Sequence, residues 1–233
     1  MSRRRSDTRL SDLVEAATKV FIDQGYRRTQ MSDVAEALGV AKGTIYLYVE
    51  SKEALFDFVV RHMDEPGSIE PRSRLPMPTP RAGTTLRYVR ERLAREPLVR
   101  EIAEISARRP RGDVVAELEV VLGKIYDVLA RNRKSIKLAD RCAADYPELA
   151  DVWFRGGREG LLGVLDGYLA SRSRRGLRRF LDAAVRTRLV LETIVFWAVH
   201  RHWDPFPQPT DEATTRATVI RFLVAALVDD AKR

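Results

Sequence analysis

The chain has 233 residues, 45% hydrophobic and 32% charged, with a formal net charge of +8. That composition suits a soluble globular protein with room for one large or two modest cores, and no apolar run approaches the length of a membrane span. A single cysteine, Cys142, excludes an intramolecular disulfide and a cysteine-rich metal site.

The opening Met1-Ser-Arg-Arg-Arg-Ser is basic but is followed by no uninterrupted apolar segment, so a cytoplasmic location is expected rather than export. Arg3, Arg4 and Arg5 read either as a minor-groove arm or as a solubilising tail. Residues 1–60 hold nine basic and nine acidic side chains, so net charge does not itself argue for nucleic acid in this region. Local placement does, because Arg27, Arg28, Lys42 and Lys52 can gather on one side.

Leu10, Leu13, Val14, Ala17, Val20 and Phe21 recur at three and four residues and predict a first helix ending at Gly25. From Thr29 to Val49 the pattern is that of a helix-turn-helix. Val34, Ala35 and Leu38 share one face of a short helix that Thr29 or Ser32 can cap, and Gly39 supplies the positive-φ stop. Val40 fills the bend, and Ile45 and Val49 face inward on the second helix. Lys42, Gly43, Thr44, Tyr46 and Leu47 are then left outside, at the end of a helix where base edges are read. Gly43 allows close backbone approach, while Tyr46 and Tyr48 offer hydroxyls to a sugar-phosphate strand. A further amphipathic helix begins at Ser51. Lys52, in its first turn, opposes the helix dipole and is explained by a phosphate contact.

Gly39-Val-Ala-Lys-Gly-Thr-Ile-Tyr-Leu-Tyr48 followed by Ser51-Lys-Glu-Ala-Leu55, with Phe21, Gly25, Tyr26 and Thr29 upstream, resembles the tetracycline-repressor (TetR) family over about residues 8–62. The resemblance implies that Gln30, Met31, Lys42 and Leu47 lie close to bases, and that Thr44, Tyr46, Tyr48 and Lys52 hold phosphates; Arg28, Thr29 and Gly43 join them in the expected DNA-binding set. Leu47 and Met31 depart from the aromatic or polar residues common in relatives and suggest contact with thymine methyls.

Five prolines between Pro66 and Pro80 mark a linker or mobile loop. The expected organisation is therefore all-α: a three-helix helix-turn-helix domain over 1–65, a loop over 66–80, and a helical domain over 81–233. In the last, helices are predicted over 84–95, 98–107, 113–143, 147–172, 177–202 and 211–232, with breaks at Pro97, Pro110, Pro147, Gly176 and the 204–209 turn. The Arg-rich run 172–179 reads as a solvated helix end or a second DNA contact.

Gly156, Gly157, Gly160, Gly163 and Gly167 sit in one helical pattern where each costs about 1 kcal/mol against alanine. Either a neighbouring helix approaches closely, or the missing side chains leave volume for a ligand beside Trp153, Phe154 and Tyr168, with Tyr88, Tyr126 and Trp197 as further candidates. The resemblance implies a small-molecule site in this domain, and Tyr146-Pro-Glu-Leu149 is similar to the entry to such a helix in some of these regulators. The last two helices are apolar over broad faces that a chain of this size could bury internally; the resemblance favours pairing them with a second copy, through Leu181, Val185, Leu189, Phe196, Ile220, Leu223, Val224 and Leu227.

His200 and His202 diverge on a helix, and no phosphate loop or nucleophile motif is present, so neither metal, cofactor nor catalysis is expected. The expected function is a homodimeric regulator, a repressor released from a palindromic double-stranded operator by a small apolar effector. The alternative is an architectural or constitutive DNA-binding protein without a ligand response.

Overall fold

The first helix runs to Gln24 because nothing in it breaks the ladder before Gly25. A computed structural model of the protein describes residues 2–65, 69, 75–109, 112–173, 176–178, 180 and 182–228, with side chains from residue 9 onward. Its helices are α1 (Ser2–Gln24), α2 (Met31–Leu38), α3 (Lys42–Ile45), α4 (Lys52–His62), α5 (Thr84–Arg95), α6 (Leu98–Ala107), α7 (Val114–Arg131), α8 (Arg133–Cys142), α9 (Pro147–Trp153), α10 (Glu159–Arg172), α11 (Ala183–Ala198) and α12 (Glu212–Leu227). A π turn, Phe154–Arg158, joins α9 to α10, and a 3₁₀ turn, His200–Trp203, follows α11. Among the described residues there is no strand, only two isolated bridges, Val49 with Met77 and Leu177 with Val228. The fold is all-α, as the sequence predicts.

Packing divides the chain into two compact units. The first comprises Met1–Leu93 with Lys134–Trp153, the second Ala94–Arg133 with Phe154–Arg233. Residues 134–153 thus pack with the N-terminal segment, a grouping that composition alone does not reveal. In the first unit α1 packs on α2 and α4, and α2 on α3. Leu13, Val14, Phe21, Val34, Ile45, Val49, Leu55 and Val59 are its fully buried core. In the second unit α10 packs on α6 and α11, and α7 on α11 and α12, around Ile102, Leu118, Val121, Leu122, Leu165, Leu169 and Ile194.

Three expected helices are shorter or broken. The segment 113–143 divides at Asn132, whose side-chain amide and backbone N–H both return to the Val128 carbonyl. The segment 177–202 starts only at Ala183, where Asp182 accepts from the Val185 amide as an N-cap. The stretch 147–172 keeps its span but widens into the π turn at Phe154. The loop before α5 is docked at its C-terminal end: the Met77 amide donates to the Tyr48 carbonyl (2.7 Å), the Glu50 amide to the Met77 carbonyl (3.0 Å), and the Thr79 amide to the Glu50 carboxylate (2.9 Å). Residues 77–79 of the linker or loop are thereby tied to the end of the reading segment. Pro66 to Arg74, apart from Ile69, lie outside the described residues, as do the side chains of Arg3, Arg4 and Arg5.

Candidate nucleic-acid interface

The turn from Gly25 to Gln30 aims α2. Gly25 has φ +84°, and a Cβ there would meet the Asp145 carboxylate at 2.8 Å, so only glycine fits without displacement. The Thr29 hydroxyl donates back to the Gly25 carbonyl at 2.7 Å and closes the turn. The Gln30 amide donates to the Asp33 carboxylate (2.9 Å), which places an acidic side chain at the N-terminus of α2, where the dipole favours it. Gly39, at φ +70°, ends α2, with its own amide on the Glu36 carbonyl and the Val40 amide on Ala35.

Ile45 and Val49 are fully buried and fix the roll of α3. Arg28, Gln30, Lys42, Gly43, Tyr46 and Leu47 consequently stand exposed, with Leu47 66% accessible, and Thr44 and Tyr48 are half-buried. An exposed leucine flanked by Lys42, Tyr46 and Gln30 is an apolar group with hydrogen-bonding neighbours, the chemistry needed to meet a thymine methyl and adjacent base edges. Tyr48 lies where Met77 braces the chain, so the end of the reading segment is fixed from outside the motif.

Two side chains of the expected DNA-binding set are buried. Met31 is only 7% exposed and Thr29 2%. Both side chains belong to the interior, Met31 because it opens the inward face of α2 and Thr29 because its hydroxyl is spent on Gly25. Neither is available to bases or phosphates. Lys52 is also committed: its ammonium donates to the carbonyls of Tyr26 (3.1 Å), Arg27 (3.3 Å) and Thr29 (3.3 Å), and lies 4.7 Å from the Tyr26 ring centroid. The Tyr26 ring in turn stacks with Phe21, meets Phe56 edge-on and lies tilted against Tyr146. Burial and the neighbouring Glu53 push its phenol far above the ordinary range, so it stays neutral.

Asp145, from the corner between α8 and α9, went unnoticed in the sequence. Its carboxylate accepts from the Arg27 amide at 2.9 Å, and Arg141 of α8 donates to the Asp23 carbonyl at 3.0 Å. Cys142 beside them is fully buried, and burial, with the Asp145 charge, pushes its thiol up to about 12, which leaves it unreactive.

The residues expected to form a ligand pocket are not brought together in one unit. Tyr88, under the Arg61 guanidinium, and Trp153, whose indole donates to Asp140 (2.9 Å), are in the first. Tyr126, Phe154, Gly157, Gly160, Tyr168 and Trp197 are in the second. There the Tyr126 hydroxyl donates to Glu212 (2.8 Å), and the Tyr168 hydroxyl is buried beside the Glu117 carboxylate, which together with burial raises its pKa and keeps it neutral. A Cβ built on Gly160, Gly163 or Gly167 meets no atom within 4 Å, so within the described residues no helix approaches these glycines. Of the expected dimer set, Val185, Leu189 and Phe196 are exposed in one row along α11, but Ile220, Leu223, Val224 and Leu227 are turned into the second unit's own core. Phe222, 64% exposed, is the large apolar side chain that α12 presents outward. Leu181 lies outside the described residues.

Residues 13–59 match the family model described as bacterial regulatory proteins, tetR family. The reading segment over residues 13–59 is thus of the tetR type. An uncharacterised helix-turn-helix regulator of Bacillus subtilis, YhgD, is 51% identical over 45 residues, 19% of this chain and 24% of that one. The transcriptional repressor KstR2 of Rhodococcus jostii is 34% identical over 53 residues, 23% and 26% of the two chains. The chain therefore matches only about a quarter of the length of these relatives, all of it in the reading segment. The solved ketosteroid transcriptional regulator KstR2 of Mycobacterium tuberculosis superposes with a TM-score of 0.56 at 16% identity, covering 95% of this chain and 96% of that one, a likeness of fold. The tetR-family assignment accounts for the buried Ile45 and Val49 and the outward Lys42 to Leu47 as one reading device. No helix of the described residues is long and apolar enough to cross a membrane, and no His, Cys, Asp and Glu among them cluster as a metal site.

Proposed function

We propose that the protein is a homodimeric, cytoplasmic transcription regulator whose α2–α3 segments enter successive major grooves of a palindromic operator. The observation that carries this reading is the exposed set Gln30, Lys42, Gly43, Tyr46 and Leu47 on a segment whose inward face is fully buried. Lys42, Gln30 and Leu47 reach base edges; Thr44, Tyr46 and Tyr48 hold phosphates. A small, largely apolar effector in the second unit releases the repressor from DNA. The partner copy covers the outward row Val185, Leu189, Phe196 and Phe222.

Selection of duplexes from a random library, followed by footprinting, tests the reading. Short palindromic protection is expected, with two half-sites about one helical turn apart. Uniform coating would instead establish an architectural DNA-binding protein. Leu189→Arg is expected to give a folded monomer by light scattering and to lose palindrome binding; a stable dimer would remove α11 from the interface.

A further inference from the structure

We propose that Lys52 and Asp145 act as a two-sided clamp on the Gly25–Gln30 turn and set the angle at which the reading segment meets DNA. The proposal rests on the DNA-reading function above and departs from a phosphate role for Lys52. On one side a single ammonium converges on three carbonyls of the turn, those of Tyr26, Arg27 and Thr29. On the other, the Asp145 carboxylate takes the Arg27 amide and sits against Gly25, where a Cβ would meet it at 2.8 Å. Donor and acceptor are matched in kind: the cation satisfies carbonyls left over after α1 ends, and the anion satisfies an amide that starts nothing helical. Both side chains come from elements that follow the motif, so the turn is held by parts of the first unit that read no base themselves. Lys52 and Asp145 also line one hollow of about 430 Å³ with Tyr26, Arg27, Glu53 and Tyr146. That space lets a larger cation replace Lys52 without overpacking.

The chemistry gives two tests of opposite character. An arginine at position 52 keeps the charge and binds phosphate at least as well as lysine, but its planar fork cannot aim one nitrogen at three carbonyls. A carboxylate near DNA repels phosphate, so deleting Asp145 strengthens binding if it acts through charge, and weakens discrimination if it holds the turn. The experiment compares the full-length wild type, Lys52→Arg, Asp145→Ala and Asp145→Asn on the duplex enriched from a random library and on its scrambled counterpart, at several salt concentrations. Circular dichroism establishes which variants are folded. Lys52→Arg and Asp145→Ala are expected to lower the preference for the enriched duplex about tenfold, the scale of one lost base contact, with non-specific affinity retained. Asp145→Asn, whose amide oxygen still accepts from Arg27, is expected to restore most of it. A Lys52→Arg protein with wild-type preference, or an Asp145→Ala protein that binds both duplexes more tightly, overturns the clamp while leaving the regulator reading intact. If the wild type enriches no sequence, the DNA-reading function itself falls, and the clamp with it.

Discussion

The turn at 25–30 and the helix α10 both combine glycine with a cation that reaches across the fold, yet they do so on opposite terms. In the turn, glycine is compulsory: Gly25 has positive φ and no room for a side chain. In α10, Gly160, Gly163 and Gly167 are ordinary helical residues facing open space. The cations reverse the pattern. Lys52 is half-buried and satisfied by carbonyls alone. Arg172, 2% exposed, holds the Glu117 carboxylate at 2.8 Å and the carbonyls of Ile105 (2.7 Å) and Ser106 (3.3 Å), with its guanidinium 5.3 Å from the Tyr168 ring centroid. A cation that still sees water can be neutralised by dipoles, whereas one removed from water needs a full opposite charge beside it. The first arrangement is adjustable; the second is fixed.

Three substitutions press on that contrast. The largest effect is expected for Arg172→Ala, which strands Glu117 and uncaps α6; breaking a buried pair from one side costs about 3–5 kcal/mol, read as a fall in the denaturation midpoint at unchanged slope. A loss under about 1 kcal/mol would mean that Arg172 is not the fixed member of the comparison. Next comes Gly25→Ala, where backbone strain and the displaced Asp145 together cost about 2–3 kcal/mol in thermal unfolding and disturb operator preference. Smallest, and opposite in sign, is Gly160→Ala: with nothing to collide with, it removes a helix-interior glycine and is expected to stabilise by about 0.5–1 kcal/mol. A drop in melting temperature there would show that a surface outside one protomer occupies the space.

Much of the architecture is legible in the chain. Helices α5 and α6 have the bounds that Pro97 and the apolar periodicity predict, and Gly39, Ile45 and Val49 do what the motif requires. The break at Asn132 escapes notice because neither proline nor glycine marks it, and α11 begins late because Asp182, a readable cap, is obscured by the apolar residues before it. The burial of Met31 and Thr29 is less legible: helical phase puts the Met31 side chain inside, and the Thr29 hydroxyl closes the turn on Gly25. Asp145 was beyond reach, since it meets Arg27 across 118 residues of intervening chain. The broad apolarity of α12 does not distinguish the face that packs inside the second unit from the one carrying Phe222.

Residues 77–79 carry a practical lesson for building chimeric regulators. The Met77 bridge closes the end of the reading segment, and Asp145 closes its beginning. A transplant cut at the compositional boundary near residue 65 would carry every residue that faces DNA and neither of these braces. The portable module is discontinuous, Met1–Leu93 with Lys134–Trp153, so a graft onto a foreign effector domain must bring both pieces or rebuild the second from the host.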